Sequence, residues 1–192
     1  MTELLKQLDL IIFYFFNHAL SSGILDLFFS FITNVRHWFP VYIIALLYLV
    51  FKGGRKGRIA AVLVLLLVAT TDQLGARVIK EIFQRLRPCN ALSDVLTPLG
   101  CTGTFSFPSN HALNNFGVAI FFSILYPKAK WYLITAASLI AISRVYLGLH
   151  YPSDIFGGAI LGIGFGYLFS LLYSQTEKFM NEKFPLKEKS GE

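Results

Sequence analysis

The amino-acid sequence predicts an all-α protein that crosses a membrane several times as a bundle of helices. Of its 192 residues, 55% are hydrophobic and only 15% are charged, whereas a soluble domain usually has about 25% charged residues. Several apolar runs approach the roughly 20 residues that a helix needs to cross a bilayer. We therefore predict five or six spans plus an N-terminal interfacial helix, all within a single membrane domain formed by residues 1–192.

The first part of the chain is predicted to form the interfacial helix and a short hairpin. Residues 3–20 mix Leu, Ile and Phe with charged and polar residues, which is typical of an amphipathic helix lying on a membrane. After a break at residues 21–23, an apolar run over 24–33 is short for a span. Residues 34–37 are predicted to form a turn, and the apolar sequence resumes over 38–51.

The middle of the chain alternates between charged connections and one strongly apolar helix. Residues 52–58 form a basic, glycine-rich loop, and residues 59–80 are predicted to form a single helix. Residues 81–107 then form a long polar connection. A connection of this length is uncommon in a compact domain unless it has a function.

Three further helices are predicted in the second half, over residues 109–126, 131–149 and 152–174. Pro108 suits the start of the first of these helices, because proline is tolerated in a first helical turn. Gly158 and Gly162 lie four residues apart in the last helix, and small residues at that spacing let helices approach closely. Residues 175–192 are predicted to form a charged cytoplasmic tail.

The direction of successive helices predicts where the polar residues lie. Because each span reverses direction, the helix ends near residues 80, 109, 150 and 154 are predicted to share one face of the membrane. The basic residues of 52–58 and 127–130 lie on the opposite face, which the positive-inside rule makes cytoplasmic. The net charge of +6 therefore follows membrane topology, and no nucleic-acid partner is predicted.

Three separated segments contribute charged and polar residues to the extracytoplasmic face. They read Lys80-x6-Arg87-Pro88, Pro108-Ser109-Asn110-His111 and Ser143-Arg144-x5-His150-x3-Asp154. Charges at the ends of apolar helices are costly to place without a use. A histidine followed four residues later by a carboxylate suggests a nucleophile with its orienting partner, although a loop whose charges meet only water is the alternative for the last segment taken alone.

Together the three segments resemble the tripartite signature of the type 2 phosphatidic acid phosphatase family. These are integral membrane enzymes that remove phosphate from lipids without a metal ion or cofactor. The resemblance covers about residues 59–174, which we expect to be the catalytic core. Asn110 stands where the family usually has glycine, which leaves the geometry of that turn open.

The chemistry of phosphate transfer gives each motif residue a role. A phosphoester has three non-bridging oxygens over which charge spreads in the transition state. Lys80, Arg87 and Arg144 would supply three cations, and the arginines can bind two oxygens each. Ser109 and the N–H groups that open the helix at 109–111, including that of Asn110, would add donors for an anion.

The two histidines divide the covalent chemistry between them, in the roles that the resemblance also implies. His150 would attack phosphorus and form a phosphohistidine, which requires a neutral ring nitrogen, and Asp154 would fix its tautomer. His111 would donate a proton to the leaving lipid oxygen and then activate water as a base.

Other polar residues are open to two interpretations. Asp72 lies about 12 Å deeper than the end of its helix at 1.5 Å per residue. It is either functional, as intramembrane carboxylates usually are, or a structural partner of Arg77. Arg85 either extends the anion site or meets water, with water preferred. His18 and His37 are predicted to be structural.

The two cysteines lie in the long polar connection. Cys89 and Cys101 have no second Cys or His at the spacing of a zinc site. On an oxidising, extracytoplasmic face they are predicted to form a disulfide that closes part of the active-site loop.

The predicted function is therefore metal-independent hydrolysis of a lipid phosphate or diphosphate whose tails remain in the bilayer. Bacterial relatives of this size act on lipid A 1-phosphate, undecaprenyl diphosphate or phosphatidylglycerophosphate. The first two are preferred, because extra cations at Arg36, Arg77 and Arg85 would suit a bulky, multiply charged headgroup. A phosphatidic acid or phosphatidylglycerophosphate phosphatase and a non-catalytic lipid-binding or transport protein are the alternatives. The resemblance implies the bacterial inner membrane, with the site on the periplasmic face.

Overall fold

The computed structural model describes residues 3–185, apart from the side chain of Ala76, and within this range it contains helices and no strand. The all-α prediction is thus confirmed. The helices are α1 (Glu3–Tyr14), α2 (Gly23–Thr33), α3 (Val35–Phe51), α4 (Gly54–Gln73), α5 (Lys80–Phe83), α6 (Pro88–Ala91), α7 (Asn110–Leu125), α8 (Lys130–Tyr146) and α9 (Pro152–Lys183). Two π-helical turns, Phe15–Ala19 and Leu74–Ile79, extend α1 and join α4 to α5.

Helix length and composition identify the segments that can cross a membrane. The run Gly54–Ala91 and helix α9 are each long and apolar enough to do so alone. Helices α1 and α2 form a pair bent by 114°, which counts as one broken span or a re-entrant loop, and α3 is a shorter apolar helix. The predicted number of five or six spans stays a prediction.

The predicted turn over residues 34–37 is shorter than expected. Helix α3 begins at Val35, so that Arg36 and His37 lie in its first turn. The Asn34 side chain accepts a hydrogen bond from the Arg36 N–H at 3.1 Å. This N-cap satisfies one of the free donors of the helix, and it allows one residue to separate α2 from α3.

The predicted basic loop over 52–58 is also mostly helical. Only Lys52 and Gly53 separate α3 from α4. A Cβ at Gly53 or Gly57 would lie 2.5 or 2.2 Å from the main-chain oxygen of Leu49. The glycines that suggested a flexible loop instead let two antiparallel helices pack closely where the chain reverses.

The last helix is longer than predicted. Helix α9 continues past residue 174 to Lys183, so the first half of the predicted charged tail is helical, and residues 186–192 lie outside the described part of the chain. Arg55 of α4 donates to the main-chain oxygen of Met180 at 3.2 Å, and Lys56 pairs with Glu177 at 3.2 Å. These contacts explain why the charged end stays helical.

Helix α7 forms the centre of the bundle and packs against α4, α8 and α9. Its buried Phe121 lies in a core with Leu67 of α4 and Phe169 of α9. Along the contact between α7 and α9 a Cβ at Gly162 would lie 2.4 Å from the main-chain oxygen of Leu113. The two helices therefore approach to main-chain contact, as the predicted small-residue spacing requires.

We expect Gly162→Ala to lower the melting temperature, because overpacking of this kind costs about 1–3 kcal/mol. In a chain of this size each 1 kcal/mol corresponds to about 2–4 °C. Gly164→Ala is the matched control, since a Cβ there meets open space and replacing a helical glycine by alanine gains up to about 1 kcal/mol. Thermal unfolding in detergent measures both, and equal melting temperatures would contradict the proposed helix contact.

Candidate active site

The three predicted segments meet in one buried cluster at a single end of the bundle. His150 lies in the connection between α8 and α9, and its Nε2 is 3.0 Å from Nη1 of Arg87, which directly precedes α6. The buried members of the cluster are Lys80, Arg87, Ser109, Arg144, His150 and Asp154. Residues far apart in the chain thus form a common site.

The contacts of His150 fix its tautomer. A guanidinium group can only donate hydrogen bonds, so Nε2 of His150 is unprotonated and its lone pair accepts from Arg87. The hydrogen is therefore on Nδ1, which lies 3.5 Å from a carboxylate oxygen of Asp154 and 3.4 Å from the Ser106 hydroxyl. This arrangement leaves Nε2 as the ring nitrogen that carries no hydrogen.

The ring of His150 is neutral at physiological pH. Burial lowers the pKa of His150 to about 3, since a charged imidazolium is poorly solvated there. The hydrogen bond to Asp154 acts in the opposite direction, and the nearby charge of Arg87 acts in the same direction as burial. A neutral imidazole is the form that a nucleophile requires.

Asp154 is held by donors from three parts of the chain. Its carboxylate accepts from the Tyr151 N–H at 2.8 Å, from Nη1 of Arg85 at 2.6 Å and from the Ser106 hydroxyl. It lies in the first turn of α9 and is fully buried. A carboxylate is stabilised at a helix N-terminus by the free N–H groups and the helix dipole.

The long polar connection orients two of the cations. Arg87 donates from Nε to the Thr104 main-chain oxygen at 2.8 Å and from Nη2 to the Thr104 hydroxyl at 2.9 Å. Lys80 donates to the Phe105 oxygen at 2.6 Å. A disulfide joins Cys89 to Cys101 and closes this connection on itself.

Arg144 and Ser109 contribute buried groups that lack partners. Arg144 donates from Nη1 to the Thr33 hydroxyl at 2.9 Å, but its Nε has no hydrogen-bond partner among the described residues, and neither has the Ser109 hydroxyl. An unmade hydrogen bond at a buried polar group costs about 1–3 kcal/mol. An anion bound between these donors would supply the missing acceptors.

Two details of the second segment differ from expectation. The Ser109 N–H, expected to bind an anion, donates instead to the Asp154 main-chain oxygen at 3.1 Å. The Asn110 amide donates to the Asp72 carboxylate at 2.9 Å, so its side chain is engaged outside the cationic cluster. The Asp72 carboxylate is an acceptor within reach of the Asn110 amide, which explains the position of that side chain.

Asp72 has partners other than the predicted Arg77. Its carboxylate accepts from Asn110 and, at 3.4 Å, from Asn114, both on α7. The carboxylate is exposed at the side of the bundle, close enough to Lys80 and His111 to act on their charges. Asp72 therefore places one negative charge at the edge of the cationic cluster.

His111 lies in the first turn of α7 and is partly buried. Its ring lies close to the main chain of Thr33, the last residue of α2. The charges of Arg87 and Arg144 act on both His111 and His150. The two histidines thus border the same group of cations.

Several residues of the site were not identified from the sequence. Thr33, Thr104 and Ser106 are small polar residues in ordinary surroundings, and nothing in the sequence distinguishes them from loop or helix-end residues. Arg85, expected to meet water, instead pairs with Asp154. Its position two residues before Arg87 was the available signal.

Comparison with known proteins places these residues in a wider group. The sequence pattern of the PAP2 superfamily matches residues 60–178. The chain is similar to a lipid A 4′-phosphatase of Bacteroides thetaiotaomicron, with 34% identity over 179 residues, 88% of this chain and 78% of the relative. An undecaprenyl-diphosphatase of Sulfolobus acidocaldarius is 32% identical over 132 residues, 68% of this chain and 61% of the relative.

A solved structure has a similar fold. It is the crystal structure of a transmembrane PAP2-type phosphatidylglycerolphosphate phosphatase from Bacillus subtilis, with a TM-score of 0.67 and 25% sequence identity. The match covers 93% of this chain and 89% of the other. The likeness therefore extends beyond the motif segments to nearly the whole fold.

We expect the His150 ring to stay neutral as the pH falls from 8 to 5. Its pKa in the folded protein lies below the ordinary value of 6.5, so its contribution to stability is complete above pH 6.5 and is lost as the pH falls toward about 3. NMR of 15N-labelled histidine in detergent measures the protonation, with His150→Asn used to assign the signal. A titration midpoint near or above 6 would contradict this prediction.

Proposed function

We propose that this chain, which belongs to the PAP2 superfamily, removes phosphate from a membrane lipid through a covalent phosphohistidine at His150. The family and its named phosphatase relatives identify the chain as a lipid phosphatase. The covalent step is supported by the protonation state and the contacts of His150. Its ring is buried and neutral, with Nδ1 turned to Asp154 and Nε2 unprotonated.

The cationic cluster is suited to a phosphate group. Lys80, Arg87 and Arg144 are all buried, and buried cations are costly unless a counter-charge is present. The unpaired Arg144 Nε and Ser109 hydroxyl supply two further donors. A bound phosphate would satisfy these groups and spread the charge of its transition state over them, a role that metal ions serve in many other phosphatases.

In the first step, Nε2 of His150 attacks phosphorus and the bond from phosphorus to the lipid oxygen breaks. The negative charge of the bound phosphate favours a proton on His111, and His111 gives this proton to that oxygen as the lipid alcohol leaves. The positive charge that develops on the His150 ring is balanced by Asp154. In the empty site Arg87 donates to Nε2, so binding of phosphate must draw this donor to an oxygen of the substrate.

In the second step, His111 is neutral and accepts a proton from water, which attacks the phosphorus of the phosphohistidine. The bond between nitrogen and phosphorus breaks, inorganic phosphate leaves, and His150 returns to the neutral form. His111 is again protonated, so the cycle balances. This exchange of acid and base roles follows from the ring's ability to hold a proton in one step and accept it in the other.

The proposed substrate is a phosphate monoester of lipid A, with undecaprenyl diphosphate as the second candidate. Support comes from the lipid A 4′-phosphatase of Bacteroides thetaiotaomicron, whose similarity covers 88% of this chain. The exposed carboxylate of Asp72 beside the cluster adds to it. A second phosphate near that carboxylate would be repelled, whereas sugar hydroxyl and amide groups could donate to it.

The proposed location is the bacterial inner membrane with the site on the periplasmic face. The basic residues Arg55, Lys56 and Lys128 lie at the end of the bundle opposite to the site, as the positive-inside rule requires of the cytoplasmic end. The disulfide between Cys89 and Cys101 is favoured in an oxidising compartment.

Purified protein in detergent with chelator should release phosphate from at least one lipid of a panel of lipid A, undecaprenyl diphosphate, phosphatidylglycerophosphate and phosphatidic acid. We expect His150→Ala to lower this rate by at least about a thousandfold, because removal of a nucleophile leaves only binding effects. His18→Gln, a change at an exposed histidine, is the control and should keep the rate.

Rapid mixing with 32P-labelled lipid, followed by alkaline quench, should trap an acid-labile phosphoprotein in the parent and not in His150→Ala. Unchanged turnover in His150→Ala would exclude the assigned nucleophile. Phosphate release that stops on addition of chelator would exclude the metal-independent route.

We expect Asp72→Asn to increase the rate on undecaprenyl diphosphate relative to lipid A by severalfold. Loss of the negative charge removes repulsion of a second phosphate, and about 1 kcal/mol of charge interaction corresponds to a factor of about five. Competition assays with both lipids in mixed micelles measure the ratio of kcat/KM. A ratio unchanged from the parent would show that Asp72 has no part in substrate choice.

A further inference from the structure

Helix α1 places a carboxylate next to the site. Asp9 is buried, with 5% of its surface exposed, whereas Leu5, Leu8 and Ile12 of the same helix are exposed. It accepts from the Ser153 N–H at 2.8 Å, from the Ser153 hydroxyl and from Nη2 of Arg85 at 2.6 Å. A buried charge with three donors is a specific arrangement and not a surface ion pair.

Arg85 joins this carboxylate to the one beside the nucleophile. Its Nη2 donates to Asp9, and its Nη1 donates to Asp154 at 2.6 Å and to the Ser153 hydroxyl at 2.6 Å. The guanidinium group also lies 4.0 Å from the centre of the Tyr151 ring. Both ends of its planar fork and one face are therefore fixed, which gives Arg85 a single orientation.

The two oxygens of Asp154 have separate partners. Oδ1 accepts from Arg85, whereas Oδ2 lies toward Nδ1 of His150 and accepts from Ser106 and from the Tyr151 N–H. Arg85 thus prevents rotation of the carboxylate and holds Oδ2 toward the imidazole. A charged donor on one oxygen also withdraws charge from the other.

We propose that Asp9 and Arg85 are positioning residues that orient Asp154 and set its charge, so that helix α1 is part of the active site. The proposal rests on the proposed function of His150 as nucleophile. Asp9 shares the charge of Arg85, which leaves more negative charge on Asp154 for the imidazolium that develops during attack. Without Arg85, two buried carboxylates would face each other unscreened.

This arrangement lies partly outside the region that defines the family. The matched pattern covers residues 60–178, and Asp9 precedes it. The outward face of α1 exposes Leu4, Leu5 and Ile11, side chains suited to lipid. The same helix therefore presents one face to the bilayer and the other to the chain of contacts Asp9–Arg85–Asp154–His150, which we call the relay.

The test compares Arg85→Gln, Arg85→Lys, Asp9→Asn and the double variant Asp9→Asn/Arg85→Gln on the lipid that the parent hydrolyses fastest. Groups that orient a functional side chain typically contribute about 10- to 100-fold. We expect kcat to fall by about that factor in Arg85→Gln and by a smaller factor in Asp9→Asn. Arg85→Lys should recover part of the loss, and the double variant should be no worse than Arg85→Gln, since both changes break one chain of contacts.

The split between kinetic constants separates positioning from a structural role. The phosphate-binding cations are not touched by Asp9 or Arg85 in the contacts above, so KM and inhibition by inorganic phosphate should change by less than about twofold. Loss of phosphate inhibition in parallel with kcat would show that the variants merely disrupt the fold, and would overturn the proposal. Glu3→Gln is the matched control on α1, because Glu3 forms an exposed pair with Lys6 at 3.5 Å.

A second measurement does not depend on turnover. The 1H–15N NMR signal of the His150 Nδ1–H should move in Asp9→Asn, although Asp9 does not contact His150, and should not move in Glu3→Gln. An unchanged signal in both Asp9→Asn and Arg85→Gln would overturn the proposal even if the lipid assay succeeds. A parent protein that hydrolyses no lipid would instead refute the proposed function. The NMR measurement would still show whether Asp9 and Arg85 act on His150.

Discussion

The accumulation of positive charge at one end of an apolar bundle is the constraint on which the rest of the structure depends. Lys80, Arg85, Arg87 and Arg144 lie there with two buried carboxylates, Asp9 and Asp154. Apart from the exposed Asp72 at the edge of the site, this leaves a surplus of two positive charges. Burying unbalanced charge is among the costliest arrangements in a protein. The surplus equals the charge of a phosphate monoester dianion. In addition, the Arg144 Nε and the Ser109 hydroxyl have no hydrogen-bond partner among the described residues and need an acceptor. A bound oxyanion would neutralise the surplus charge and would also accept the missing hydrogen bonds.

The geometry of the cluster follows from helix packing rather than from the motif residues alone. A Cβ at Gly158 would lie 2.6 Å from the main-chain oxygen of Ser109, and the Ser109 N–H reaches the main-chain oxygen of Asp154. Close approach of α7 and α9 therefore fixes the second motif against the third. The glycines that the sequence identified as packing features therefore also set the distance between Ser109 and Asp154, which the proposed function assigns to phosphate binding and to orientation of His150.

The features that could be predicted from the sequence are those with local signals. Apolar runs gave the helical class, and the separate segments around Lys80, Ser109 and His150 predicted a common face, on which the structure brings them together. The prediction was wrong where glycine or charge suggested a loop, at 52–58 and beyond residue 174, because contacts of α4 with α3 and with α9 decide those regions. It also could not find Asp9 or Thr33, since their partners are 76 and 111 residues away in the chain, and neither residue type is unusual where it stands.

The N-terminal segment and the segment over 60–178 contribute different groups to the site, which limits how each can vary. The segment over 60–178 carries the cations and both histidines, which the chemistry of phosphate transfer demands in any substrate context. The N-terminal segment adds Thr33 behind Arg144 and Asp9 behind Arg85. In the proposed mechanism Thr33 and Asp9 act through other side chains and not on the phosphate itself, so changes in α1 and α2 can adjust orientation without removing a group that the reaction needs. If Asp9 and Arg85 orient Asp154 as proposed, a membrane-facing helix can couple the position of the protein in the bilayer to the rate of attack, while the proposed phosphate site stays the same.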